Sequence, residues 1–192
     1  MKHKILLISG SPAQGSHTRA ALQALESLLQ QLNINTELVD LAQTNLPICN
    51  PLFHRDPLQH PCENVQKFIA QVSQSTAIVL GTPLYHGSFS GLLKNALDHL
   101  ASDAFEGKAV GLLSNGAGIR ACMLPCEQLR AVVRAMCGIA TQSQIGTTKS
   151  DFVHDGTQLK LENADILGRI QRMAKELVSL STGLEAMKLL ED

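Results

Sequence analysis

Hydroxyls and glycines crowd one short stretch near the start of the chain: Ser9-Gly10-Ser11-Pro12-Ala13-Gln14-Gly15-Ser16-His17-Thr18. It lies between an apolar run, Lys4 to Ser9, and a helical pattern that begins at Thr18. A turn at such a junction aims free backbone N–H groups and the positive end of a helix dipole at one point, which favours a phosphate. Ser11, Ser16 and Thr18 add donors there without adding charge. Gly10 and Gly15 have the spacing of the GxxxxGK[ST] loop, but Ser16-His17 stands where that loop needs Lys and a magnesium-binding hydroxyl. The GxGxxG pattern is absent. The missing lysine argues against a nucleoside triphosphate, whereas one terminal monophosphate, as in FMN, suits a hydroxyl-rich loop. The competing role for Ser11 or Ser16 is to cap the helix.

Two further turns could complete a site. Gly81-Thr82-Pro83-Leu84-Tyr85-His86-Gly87-Ser88 is apolar, fixed by proline and contains glycine. Such a loop can lie along a flat heterocycle, and Gly87 lets backbone approach closely. Ser88 or Ser90 is also a candidate helix cap. His86 is a candidate general acid or a plain polar loop residue. The third turn, Ser114-Asn115-Gly116-Ala117-Gly118, fits packing against a ring edge and fits an ordinary tight turn almost as well.

The elements that must position these turns are legible as alternating patterns. Lys4–Ser9, Thr36–Asp40, Thr76–Gly81 and Lys108–Ser114 read as strands, and Ile139–Ile145 as a weaker fifth. Continuous apolar runs of this length are strands buried on both faces of a parallel sheet. Between them, apolar residues recur every three or four positions, as in Leu22, Leu25 and Leu29, and helices are expected there. A proline-rich loop spans 42–62. The expected architecture is one α/β domain over residues 1–192: a three-layer sandwich around a five-stranded parallel sheet of order 2-1-3-4-5. In such sheets ligands bind beyond the carboxyl ends of the strands, between the first and third. All three turns fall there.

Composition narrows the function. Hydrophobic residues make up 44% and charged residues 17% of the 192, which excludes a disordered chain. The net charge of −1 supplies no field to gather nucleic acid or an anionic membrane. No apolar run is long enough to span a bilayer. The apolar stretch after Met1-Lys2-His3-Lys4 is too short for a signal peptide, so a cytoplasmic protein is expected. The odd number of cysteines, five, argues against a disulfide framework. Cys49, His54, His60 and Cys62 have side chains that suit zinc, but not the compact spacing of structural zinc sites, and no metal is expected.

Gly10-Ser11-Pro12 with Ser16 after the first strand, together with the long run from Gly81-Thr82-Pro83-Leu84-Tyr85-His86-Gly87-Ser88 through Ser90-Gly91-Leu92-Leu93-Lys94-Asn95-Ala96-Leu97-Asp98, resembles the NADPH-dependent FMN reductase family. The resemblance covers roughly residues 3–150. It implies a flavodoxin-like fold that binds FMN, with NADPH or NADH as hydride donor and a small-molecule acceptor: free flavin, a quinone, an azo compound or a metal oxyanion. By the same resemblance, Ser11, Ser16 and Thr18 fall on the phosphate loop. Pro83, Leu84, Tyr85, His86, Gly87 and Ser88 fall on the flavin-ring loop, and Ser114, Gly116 and Gly118 lie across the ring from it. Many members carry Arg where Ala13 stands, which leaves the phosphate here to backbone and hydroxyls. The resemblance also implies a homodimer or homotetramer, with the Phe89–Leu100 helix and the tail Leu184–Leu190 as apolar surface for a partner. A flavodoxin-type electron carrier and a non-catalytic FMN-binding regulator share the fold. The carrier is disfavoured by the near-neutral charge and the single tyrosine.

Overall fold

A run of four apolar residues with no polar alternation has to be covered on both sides. In the computed structural model, which describes residues 3–118 and 122–188, Ile5, Leu6, Leu7 and Ile8 are fully buried in the first strand, β1 (Lys4–Ser9). Helix α1 (His17–Gln31), β2 (Asn35–Asp40) and the single turn α2 (Leu41–Thr44) follow. The proline-rich segment makes two 3-10 turns, Pro51–Phe53 and Pro57–Gln59. Then come α3 (Glu63–Ser73), β3 (Ala77–Pro83), α4 (Gly91–Asp98), β4 (Ala109–Asn115), α5 (Leu124–Ala135) and β5 (Ile139–Thr147). A short hairpin, β6 (Phe152–His154) and β7 (Leu159–Leu161), precedes the last helix, α6 (Ala164–Lys188).

The main sheet is parallel throughout, in the expected order β2-β1-β3-β4-β5. Side chains alternate across it. Ile5, Leu7 and Val79 pack with Leu22 and Leu25 of α1 and with Met173 and Leu177 of α6. Leu6, Ile8 and Leu80 pack on the other face with Phe68 of α3, Leu93 of α4 and Leu129 of α5. Burying one such side chain is worth about 1.5–3 kcal/mol, so the sheet's two faces hold the three layers together. Gly111 lets α6 come close: a Cβ there would lie 3.0 Å from the Met173 sulfur.

The β6–β7 hairpin has no counterpart in the expected element list. Phe152 and Leu161 pair across it, are buried, and pack with the helix side chains of α1 and α6. The expectation that α4 turns its apolar face to a partner does not hold for the residues that form that face. Leu93, Ala96 and Leu97 are buried in the chain's own core. In the tail, Leu184 packs on the core and Met187 is exposed, while Leu189 and Leu190 lie outside the described residues.

β5 is an edge strand with an irregularity. Its register against β4 jumps between Val110 and Leu112, which pair with Ala140 and Gln144. Backbone groups around this bulge are held by side chains. Arg130 of α5 donates to the carbonyls of Thr141 and Gln142 at 3.0 and 3.1 Å. Arg169 of α6 donates to the Gln144 carbonyl at 3.1 Å, and Glu176 accepts from the Ser143 N–H at 2.8 Å.

The loop 42–62 is tied to α4. Asn95 accepts from the Cys49 N–H at 2.9 Å and donates to the Pro47 carbonyl at 2.8 Å. The Cys49 thiol donates to the Asp98 carbonyl at 2.9 Å and lies 3.1 Å from His54 Nε2. Burial pushes this thiol's pKa up, with the Asp98 carboxylate adding to it. His60 packs edge-on against Phe53 and His99. These cysteines and histidines therefore serve packing and loop anchoring, and among the described residues no three His, Cys, Asp or Glu side chains gather as metal ligands.

Candidate functional site

The parallel order brings the carboxyl ends of β1, β3 and β4 side by side, so the three turns that follow them meet. They enclose a cleft of about 290 Å³. Ser11, Gly15, Ser16 and Thr18 line it from the first turn, Pro83, Leu84 and Tyr85 from the second, and Asn115, Gly116 and Ala117 from the third.

The first turn is built to hold its shape. The Gly10 N–H donates to the Gly81 carbonyl at 2.8 Å, which docks the turn on β3. A Cβ at Gly10 would lie 2.7 Å from that of Leu93, so only glycine allows this approach. Ser90 caps α4, accepting from the Leu93 N–H at 3.1 Å, and its hydroxyl donates to the Gly10 carbonyl at 2.5 Å. One buried serine thus joins the start of α4 to the first turn. Arg19 fixes the other side. It donates to the carbonyls of Gln14 and Ala13 at 2.7 and 3.3 Å and pairs with Asp40 at 2.6 Å.

Ser16 is the N-cap of α1 and accepts from the Arg19 N–H at 3.1 Å. Its hydroxyl proton remains available to a ligand, as does that of Ser11, which accepts from the Ala13 N–H at 3.4 Å. Thr18 lines the cleft, and its hydroxyl makes no hydrogen bond among the described residues. It is therefore free to bond a ligand there. The first turn of α1 carries no acidic residue to satisfy its dipole. Helix N-terminus, hydroxyls and unfilled Thr18 all suit the phosphate of FMN.

The second turn is a two-residue hairpin. Tyr85 and Ser88 exchange backbone hydrogen bonds at 2.9 and 3.0 Å, and His86 and Gly87 both have positive φ, 49° and 81°. This is the type I′ arrangement, which Asn-Gly adopts most readily. Its tip is bound to α5: Ser88 donates to Gln128 at 2.8 Å and Gln128 donates to the Gly87 carbonyl at 3.0 Å. His86, Gly87 and Ser88 are therefore placed at the tip rather than in the wall of the cleft. Ser90, not Ser88, is the cap. We expect His86→Asn to leave the rate of NADPH-driven flavin reduction within about threefold, since general acid–base help would be worth about 10²–10⁴-fold. Stopped-flow absorbance of the FMN-loaded protein checks this.

On the third turn, the Leu84 N–H donates to the Asn115 carbonyl at 2.7 Å, so the second and third turns are tied together. Ser114 is fully buried and donates to the Cys122 carbonyl, with Cys126 donating to Ser114 at 3.2 Å. It therefore supports the turn from behind. Burial pushes the Cys126 thiol up to about 11, so it stays protonated. Gly116 lines the cleft, and a Cβ there would lie 3.1 Å from Leu84. Gly118 is exposed and apart from the wall. Pro83, Leu84 and Gly116 give the same cleft an apolar lining.

One wall residue lies outside the three turns. Lys149 comes from a 3-10 turn, Lys149–Asp151, after β5. It stands in no motif and is far along the chain from the loop it faces.

The profile of the NADPH-dependent FMN reductase family matches residues 3–150. An FMN-dependent NADPH-azoreductase of Staphylococcus saprophyticus is 36% identical over 178 residues, which cover 92% of this chain and 94% of that protein. The crystal structure of an NADH:FMN oxidoreductase, EMOB, in its apo form superposes with a TM-score of 0.71 at 23% identity, covering 92% of this chain and 90% of that one. FerB of Paracoccus denitrificans, a flavoenzyme NAD(P)H:(acceptor) oxidoreductase, superposes with a TM-score of 0.72 at 17% identity, covering 92% and 98%. These two likenesses establish the flavodoxin-like fold, while the profile match and the full-length relative carry the assignment. The chain belongs to the NADPH-dependent FMN reductase family and is an oxidoreductase of that family.

Proposed function

We propose that the enzyme binds FMN in the cleft between the three turns and reduces azo compounds with NADPH as donor. The observation that carries the reading is the meeting of a hydroxyl-rich helix N-terminus and an apolar lining in one cleft. The azo acceptor follows from the relative's name and its coverage of nearly the whole chain. FMN supplies the redox chemistry, accepting a hydride and passing electrons on. The chain's own residues bind, orient and exclude water. Ser11, Ser16 and Thr18 donate to the phosphate. Pro83, Leu84 and Tyr85 border the ring, with Gly116 opposite, and His86, Gly87 and Ser88 shape the loop from its tip. Ser114 and Gly118 belong to the turn across the ring. Titration with FMN should saturate at about one FMN per chain, and the loaded protein should decolourise an azo dye only when NADPH is present. Absence of dye reduction by the FMN-loaded protein would overturn the choice of acceptor.

The enzyme acts as a homodimer or homotetramer in this reading, in the cytoplasm. Free thiols at all five cysteines support a reducing compartment. Large apolar side chains stand exposed on the stiff loop before α3: Ile48 at 86%, Leu52 at 84% and Leu58 at 67%. Exposed apolar side chains of this size suit an association surface and support the oligomeric reading. Leu52→Glu should shift the light-scattering mass toward that of one chain, and an unchanged mass would move the interface elsewhere.

A further inference from the structure

We propose that Lys149 is the cation that meets the phosphate of the bound flavin, supplied from outside the phosphate loop. The inference rests on the reading that FMN occupies this cleft. The loop itself brings no free cation to the wall. Arg19 is the nearest in sequence, but it does not line the cleft, and its two terminal nitrogens are engaged by the Gln14 and Ala13 carbonyls and by Asp40. The cleft wall contains no carboxylate, and Lys149 is its one lysine or arginine among the described residues. Its ammonium makes no hydrogen bond or ion pair among those residues.

Its backbone, by contrast, is fixed. Asp151 accepts from the Thr148 N–H at 2.7 Å, and Thr148 with Asp151 forms a capping box around the Lys149–Asp151 turn. Asn163 donates to Asp151 at 2.6 Å, and the Glu162 N–H donates to the Asp151 carbonyl at 3.0 Å. The Asp151 carboxylate is thus occupied within its own turn. Phe152, the next residue, is buried and meets the His17 ring edge-on at 4.9 Å. The β6–β7 hairpin therefore braces the turn against the start of α1. Lys149 lines the same cleft as His17 at the start of α1. Burial, with the Lys149 charge adding to it, holds the His17 pKa below its usual value. A phosphate between the α1 N-terminus and Lys149 would meet the unfilled Thr18 hydroxyl on one side and this charge on the other.

The test compares FMN with riboflavin, which lacks the phosphate, by quenching of flavin fluorescence. Charge-assisted bonds are strong, and exposure weakens them. In Lys149→Met the preference for FMN over riboflavin should fall by about five- to tenfold, riboflavin affinity should stay, and added salt should matter less to FMN binding than in the natural protein. Lys149→Arg should keep most of the preference. Lys149 is exposed, and a thermal melt of Lys149→Met matching the natural protein would show that the fold is intact. If the natural protein prefers FMN and Lys149→Met keeps that preference, the role of Lys149 is refuted while FMN binding stands. If the natural protein binds no FMN, the cleft reading and this inference fall together.

Discussion

Arg19→Met is expected to cost about 3 kcal/mol of stability and to weaken FMN binding by about tenfold. The guanidinium and its partner Asp40 are largely buried, at 17% and 10% side-chain exposure. Removing one member of a buried ion pair typically costs about 3–5 kcal/mol, because the remaining charge has lost its partner, and the residual exposure here places the value at the low end. The same change frees the Ala13 and Gln14 carbonyls, so the first turn no longer arrives at the cleft in one shape. Urea unfolding with an unchanged slope and a lower midpoint checks the first effect. Weaker binding of FMN than of riboflavin, relative to the natural protein, checks the second. Arg19→Lys should rescue little, since an ammonium cannot serve two carbonyls and a carboxylate in that fork. A loss of stability below about 1 kcal/mol would show that the pair is of the weak surface kind.

The second large effect belongs to Ser90. Ser90→Ala should cost about 2–4 kcal/mol. Losing the α4 cap is worth about 1 kcal/mol. The Gly10 carbonyl, which takes the Ser90 proton, would be left without that partner at a cost of about 1–3 kcal/mol. The loss should also loosen the first turn, so FMN affinity should fall although Ser90 does not line the cleft. If thermal unfolding of Ser90→Ala matches the natural protein, the link between α4 and the first turn carries no weight.

Much of this molecule is readable without coordinates, for a physical reason. Strands buried on both faces must be continuously apolar, so Ile5–Ile8 and Ile78–Leu80 announce themselves, and the alternation with helices gives the sheet order. The N-cap role of Ser16 is likewise local chemistry. What is hidden is of two kinds. Three-residue strands such as β6 and β7 are too short for any period to show, so the hairpin that braces Lys149 leaves no pattern. Residues whose role depends on a distant partner are also hidden. Arg19 looks like a solvent-facing helix residue until Asp40 is beside it, and the bond from the Ser88 hydroxyl to Gln128, forty residues on, leaves no local pattern. The motif marks where the loops are and is silent on which atoms face inward.

The side chains laid along the bulge of β5 have a consequence for how copies of this chain can meet. An open sheet margin is a template on which another strand can grow, the route to runaway, fibre-like stacking. Here a newcomer would have to dislodge two guanidinium groups and a carboxylate from the peptide groups they occupy. The distortion of the bulge further spoils the straight rail that such growth needs. Open-ended ribbon formation at this margin is thereby disfavoured.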